Sequence, residues 1–203
     1  MKIFYSPASP FVRKTLVLAM ERGIREQIEC VSSTLSPVAP DQAIAVHNPS
    51  GKIPTLVLDD GTALYDSRVI VEYLDSLPGG PRLIPSEPAA RWRALVLQSL
   101  ADELTDAAVL LRYETFLRPE ALRWPAWITG QWTKIHASLD ALERDHLGQL
   151  ERVLDVGAVA VACARGYLDF RFPEVDWRGA RPGLAAWYAG FSERPSMTAT
   201  RPA

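Results

Sequence analysis

Residues 6–14 read SPASPFVRK and set two hydroxyls, Ser6 and Ser9, just ahead of an amphipathic run. Ser9 followed by Pro10 has the form of a helix N-cap with proline at the first helical position. A hydroxyl there sits at the positive end of a helix, where it can serve an anion as well as its own backbone. A second pair, Asp66–Ser67, precedes the run VIVEYL and brings a carboxylate and a hydroxyl to another helix start. Capping accounts for both residues, and the helix N-terminus also favours a bound carboxylate. A third feature is GKIPT (51–55), in which Pro54 stands directly before an apolar strand. Having no N–H to donate, a proline fits there only at the first position or the edge of a strand.

Other chemistries find little to work with. Cys30 and Cys163 lie far apart, with neither metal nor redox spacing, and their apolar surroundings predict buried free thiols. His47, His136 and His146 have no ligand-like spacing, and no acid–base triad is visible. The net charge is −2 with no long run of one sign, which gives nucleic acid or an anionic membrane nothing to grip. The apolar opening stops after four residues at Ser6, short of a signal peptide, and no apolar run approaches a membrane span. The expected location is the cytoplasm, and no metal is expected.

The elements that must position these residues follow from pattern. KIFYS (2–6) reads as a strand, residues 10–23 as a helix closed by glycine, and EQIECVSS (26–33) as a second strand. A polar loop with at most one short helix spans 34–47. Residues 53–66 read as a hairpin turning at Asp-Asp-Gly, and 67–77 as a helix. PGGPRLIPSEP (78–88) has the texture of a linker, and everything beyond reads as helical: about 89–117, 125–147, 155–170 and 183–191. Strand-helix-strand implies a parallel pair and the hairpin an antiparallel edge. The expectation is an α/β domain at 1–78, a linker at 79–88 and an all-helical domain at 89–203.

With the blocks SPFVRK, NPSGKIPTL (48–56), YDSRVIVEYL (65–74) and CARGYLDFRF (163–172) in this order, the chain resembles a bacterial glutathione S-transferase of the serine type. The resemblance covers essentially the whole chain. It implies a thioredoxin-like N-terminal domain that binds glutathione as co-substrate, a helical C-terminal domain that shapes the electrophile pocket, and a homodimer. It also implies a cis bond before Pro54, a strand-like backbone contact from Ile53 to the cysteinyl part of glutathione, and a contact from Lys52 to its glycine carboxylate. Asp66 would take the ammonium of the γ-glutamyl end and Ser67 its carboxylate, so that a zwitterion meets one partner of each sign.

The nucleophile in such an enzyme belongs to the co-substrate. A free thiol has a pKa of about 8.5 and is only a few per cent thiolate at neutral pH. A single hydroxyl donor that lowers this by one unit supplies about 1.4 kcal/mol, within reach of one charge-assisted hydrogen bond. Ser9, four residues before Arg13, is assigned this role ahead of Ser6; Tyr5 is a weaker candidate, and Arg13 is read as structural or as a pocket-edge contact. Arg112, Tyr113 and Trp124 are candidates for the electrophile pocket, and Asp102 for a contact to a partner's glutathione. At Asp155 the family's reciprocal capping box loses its acid to Ala158.

Three functional classes compete. The first is a transferase attacking a small electrophile with glutathione thiolate, with room for a peroxidase side activity. The second, a thiol–disulfide oxidoreductase, lacks the cysteine it needs at the first helix. The third is a glutathione-binding or regulatory module of the same fold, as in stringent starvation proteins.

Overall fold

The computed structural model describes residues 1–33, 36–39 and 41–202. The chain divides into two compact units, Met1–Ser86 with Pro195–Ala203, and Glu87–Arg194.

In the first unit, strand β1 (Lys2–Tyr5) lies between β2 (Glu29–Ser32), parallel to it, and β3 (Thr55–Val57), antiparallel, while β4 (Ala63–Leu64) completes the order β2-β1-β3-β4. Ile3 and Leu56, partners across β1 and β3, are both fully buried. Helices α1 (Pro10–Glu21) and α3 (Ser67–Ser76) pack on each other and bury Val17, Leu18, Ile70, Val71 and Leu74. On the opposite side of β1, the ring of Phe4 meets His47 at 5.7 Å, just past the short helix α2 (Gln42–Ala45). The predicted hairpin turn closes with Leu58 N–H donating to Thr62 O at 2.9 Å, and Gly61 supplies the positive φ of 88° that the turn requires. The expected second strand begins three residues late because a 3-10 turn occupies Arg25–Gln27. Within the expected loop, Thr34, Leu35 and Pro40 lie outside the described residues.

The proline- and glycine-rich stretch expected as a linker is tied down. Asp75, 2% exposed, accepts from the backbone N–H of Leu83 at 2.7 Å and of Ile84 at 3.2 Å, and both of those residues are buried. The same carboxylate pairs with buried Arg22 at 3.4 Å, and Arg22 Nη2 donates to Leu77 O at 2.6 Å. A buried carboxylate needs such compensation, and here a guanidinium and two amides supply it. The C-terminal tail also departs from the expected 89–203 span. Helix α9 (Pro195–Ala199) belongs to the first unit, where Arg13 Nη2 donates to Met197 O at 2.9 Å and Ser196 donates to Glu21 at 2.5 Å. Arg13, read as structural or as a pocket-edge contact, both holds this tail and lines the cavity beside it.

The second unit is helical, with α4 (Pro88–Arg112), α5 (Pro125–Ala141), α6 (Leu147–Leu150), α7 (Val156–Arg171) and α8 (Pro182–Ser192). A π-helical turn at Tyr113–Leu117 continues α4, and another at Leu142–His146 joins α5 to α6. Helix α7 is buried over Val156–Leu168 and packs on α4. Asp155 caps it, accepting from Ala158 N–H at 2.9 Å, and its other oxygen accepts from Gln149 Nε2 at 2.9 Å. Gln149 thus occupies the second oxygen, which an aspartate cap has and a hydroxyl cap lacks. The N-terminus of α8 is capped from a distance, with Gly183 and Leu184 N–H groups donating to Glu143 at 3.0 and 2.6 Å.

Helix α7 packs tightly on α4 at Gly157, where an added Cβ would lie 2.8 Å from Leu97 Cβ and 2.9 Å from Ala94 O. Gly157→Ala is expected to lower stability in urea denaturation by about 1–3 kcal/mol through overpacking. Gly190→Ala on α8, where an added Cβ meets nothing within 4 Å, is the control and should be neutral or stabilising by about 0.5–1 kcal/mol.

Candidate active site

Strand register brings the predicted site residues of the first unit to one end of its sheet. Phe4 pairs with Thr55, so β1 runs on into Tyr5 and Ser6 beside Pro54 and Ile53. Leu64 pairs with Leu56, so β4 runs on into Tyr65 and Asp66 at that same end of β3. Two helices therefore begin where three strand ends meet, and their N-termini direct unpaired N–H groups there.

Ser9 is the N-cap of α1, extended at φ −84° and ψ 119°, and its Oγ accepts from Val12 N–H at 3.3 Å. A hydroxyl has two lone pairs and one proton. The cap engages a lone pair and leaves the proton available to an anion. Ser6 comes earlier in the turn, and its carbonyl accepts from Ser9 N–H at 3.0 Å. Ser6 and Tyr5 line a cavity of about 390 Å³, whereas Ser9 does not.

The Ile53–Pro54 peptide is cis, and so is Tyr65–Asp66. Pro54 is buried, Ile53 half-buried and Lys52 exposed. No backbone hydrogen bond engages Ile53 among the described residues, so its amide and carbonyl remain available for a strand-like contact. Asp66 caps α3 through one carboxylate oxygen, which accepts from Arg68 N–H at 2.9 Å, and the residue is exposed. Ser67, the first residue of α3, is 3% exposed, and its hydroxyl makes no hydrogen bond among the described residues.

The block NPSGKIPTL also holds the residue that shapes the turn before β3. Asn48 is 1% exposed, and its Nδ2 donates to Lys52 O at 3.1 Å and to Thr55 Oγ1 at 3.0 Å. Its Oδ1 accepts from the N–H and the hydroxyl of Ser50 at 3.0 and 2.7 Å. This one amide stitches together the turn that presents Ile53 and Pro54. The Asn-Pro-Ser-Gly run was the available signal, since asparagine often bonds the backbone two residues on.

The pocket candidates of the second unit are mixed. Tyr113 opens the π-helical turn, is 40% exposed, and has its phenol pushed up by burial. The Arg112 guanidinium lies 3.6 Å over the Phe116 ring. Trp124 is 63% exposed, stacks beside Trp127 at 6.4 Å, and donates its backbone N–H to Glu114 at 2.8 Å. That bond, ahead of Arg118, holds the Glu114 carboxyl below its usual range. Asp102, a candidate for contact to a partner's glutathione, is 4% exposed in α4. Cys163 is buried, while Cys30, expected to be buried, is only half so, because it stands on the edge strand β2.

Comparison with known proteins agrees with the architecture. The glutathione S-transferase N-terminal domain model matches residues 8–77 and the C-terminal domain model residues 125–190. The GST-like protein YibF of Escherichia coli K12 is 34% identical over 204 residues, covering 100% of this chain and 98% of its own. The chain belongs to the glutathione S-transferase superfamily. A glutathione transferase family member from Pseudomonas fluorescens Pf-5, solved with bound glutathione, is 51% identical with a TM-score of 0.98, covering 100% of this chain and 98% of that one. A glutathione S-transferase from Methylobacillus flagellatus KT, also with glutathione bound, is 37% identical with a TM-score of 0.87 and covers 100% and 99%. The expected fold is the one found: a small thioredoxin-like mixed sheet followed by a larger helical domain.

Removing the Asn48 side-chain amide should therefore loosen the whole turn. Asn48→Ala is expected to cost about 2–3 kcal/mol in chemical denaturation. It should also speed amide hydrogen exchange at residues 50–55 more than elsewhere in the sheet. Uniform acceleration across the first unit would contradict a local role.

Proposed function

We propose that this transferase-superfamily chain is a serine-type glutathione transferase that uses Ser9 to stabilise the thiolate of bound glutathione. The observation that carries the reading is the meeting of three features at one sheet end. They are the capping hydroxyl of Ser9, the unengaged backbone of Ile53 before a cis proline, and the Asp66–Ser67 start of α3. The 51% identical Pseudomonas structure with glutathione bound supports the same ligand here.

In this reading the cysteinyl backbone of glutathione pairs with Ile53 as a short added strand. The γ-glutamyl ammonium meets the Asp66 oxygen not used in capping, and its carboxylate meets the Ser67 hydroxyl and the α3 N-terminus. Lys52 meets the glycine carboxylate. The Ser9 proton points at sulfur, so the hydrogen bond and the positive end of α1 both favour the anionic form and lower the thiol pKa. The thiol proton leaves to solvent. The sulfur lone pair then forms the new bond to the electrophilic carbon, and the displaced electron pair departs with the leaving group or settles on the activating atom. No protein nucleophile is consumed.

A homodimer is part of this proposal. Trp92 and Val96, one turn apart on α4, are 65% and 58% exposed, an apolar pair suited to a self-associating face.

Calorimetry with glutathione should give a dissociation constant in the micromolar-to-millimolar range. Absence of binding at several millimolar would reject the proposal in favour of a protein that keeps the fold without the ligand. Ser9→Ala should raise the pH midpoint of conjugation by about one unit, roughly tenfold in rate at neutral pH, with modest effect on affinity. Ser6→Ala should leave that midpoint in place; the reverse pattern would transfer the thiolate contact to Ser6. In light scattering, Trp92→Glu is expected to shift the dimer toward monomer, and an unchanged mass would remove α4 from the interface.

A further inference from the structure

Two helices of the second unit each end on an arginine. Arg112 is the last residue of α4 and Arg171 the last of α7. Gly157, near the start of α7, sits against Ala94 and Leu97, and further along the charge of Arg112 reaches Tyr167. The helices therefore run the same way and finish side by side, with the two guanidiniums close enough to repel. Tyr113, which opens the π-helical turn, and Tyr167, one turn before Arg171, both lie within the field of Arg171.

No acid answers these charges. Among the described residues neither arginine forms an ion pair, and Arg171 Nε is buried without a hydrogen-bond partner. The acids next to them in the chain are committed elsewhere. Glu114 accepts from Arg118 at 2.7 Å and from Trp124 N–H at 2.8 Å, and Asp169 accepts from Trp177 Nε1 and Arg178 Nη2, each at 2.7 Å. Burial pushes both phenols up, Tyr167 to about 12, so both remain neutral donors. A cation at a helix C-terminus is favourable by itself, which accounts for one arginine on each helix. It does not account for holding the two together, since like charges repel and a shared anion removes that cost.

Stacking orients both groups. The Arg112 guanidinium lies 3.6 Å over the Phe116 ring and that of Arg171 lies 4.1 Å over Phe170. A guanidinium stacked on a ring keeps its N–H edge free, and that edge matches the two oxygens of a carboxylate. Tyr113 and Phe116 are exposed, so the place is open to a ligand.

We propose that Arg112, Arg171 and the Tyr113 hydroxyl form a carboxylate-binding site within the second unit, which selects as acceptor a small electrophile bearing a carboxylate. The proposal rests on the transferase reading, in which first-unit residues alone hold glutathione, and it adds the chemical class of the second reactant. With a β-halocarboxylate, the glutathione sulfur forms a C–S bond at the halogen-bearing carbon while the carbon–halogen bond breaks. Halide leaves with the electron pair, the thiol proton goes to solvent, and no outside oxidant or reductant enters.

Two measurements on the full chain separate the site from the transfer reaction. Propanoate, which cannot react, is titrated by saturation-transfer NMR without glutathione and should bind saturably. Arg112→Gln and Arg171→Gln should each weaken it about tenfold, while Arg171→Lys keeps the charge and part of the binding. β-Bromopropanoate and its methyl ester are then compared as acceptors, each rate divided by its own uncatalysed rate with glutathione. The acid is expected to lead by about tenfold or more in kcat/KM, and Arg171→Gln to raise KM for the acid about tenfold more than for the ester. Near-ultraviolet circular dichroism checks the fold of each variant. Equal enhancement of acid and ester, equal losses for both in Arg171→Gln, or propanoate binding indifferent to both arginines would each overturn the assignment. Arginine-dependent propanoate binding without turnover of either acceptor would uphold the carboxylate site and reject the transferase reading instead.

Discussion

The register of β1 against β3 is the constraint on which the first unit depends. Pairing Ile3 with Leu56 puts two apolar side chains at the centre of the sheet, where both are fully buried. A slip of one residue would send each to the opposite face and expose the core. The same pairing lays the end of β1 beside the start of β3, and the β3–β4 register adds the end of β4. Hydrophobic burial thus fixes, as a by-product, where Ser9, Pro54 and Asp66 meet.

The local devices at that sheet end are polar and economical. Ser9, Asp66 and Asn48 each satisfy backbone groups that would otherwise be unpaired, and the first two keep an atom that the cap does not use. A cap spends one lone pair of a hydroxyl or one oxygen of a carboxylate, leaving a proton in one case and an acceptor in the other. Structural and functional readings of these residues are compatible for that reason. Asn48, by contrast, commits both ends of its amide to the turn and acts only through the shape it gives Ile53 and Pro54.

Burial of charge follows a consistent pattern across both units. Asp75 is compensated by Arg22 and two amides, and Arg181 pairs with Asp140 at 2.6 Å. Arg165 is the exception. None of its guanidinium nitrogens has a hydrogen-bond partner among the described residues, and it stacks 3.3 Å above the Trp177 ring. Desolvation pulls its pKa down to about 9, with Asp169 opposing that shift. A delocalised guanidinium tolerates such a place better than an ammonium would, because it is weakly hydrated and stacks on aromatic faces.

The sequence alone determined the element order, the two helix caps and the family, because caps, prolines and the Asp-Asp-Gly turn act over a few neighbouring residues. Ser9–Pro10 and Asp66–Ser67 could be read as helix starts without knowing what surrounds them. Tertiary structure alone decided what depends on residues far apart in the chain. The stretch 78–88 looks like a linker by composition, yet Asp75 on α3 and the carbonyl of Arg22, just past the end of α1, anchor it. The tail looked like the end of the helical domain, yet Arg13 and Glu21 fasten it to the first unit across more than 170 residues. The cavity beneath that tail has no signature in any single segment, since its floor, wall and roof come from three of them. Local preference sets each element, and only packing decides which elements enclose a space.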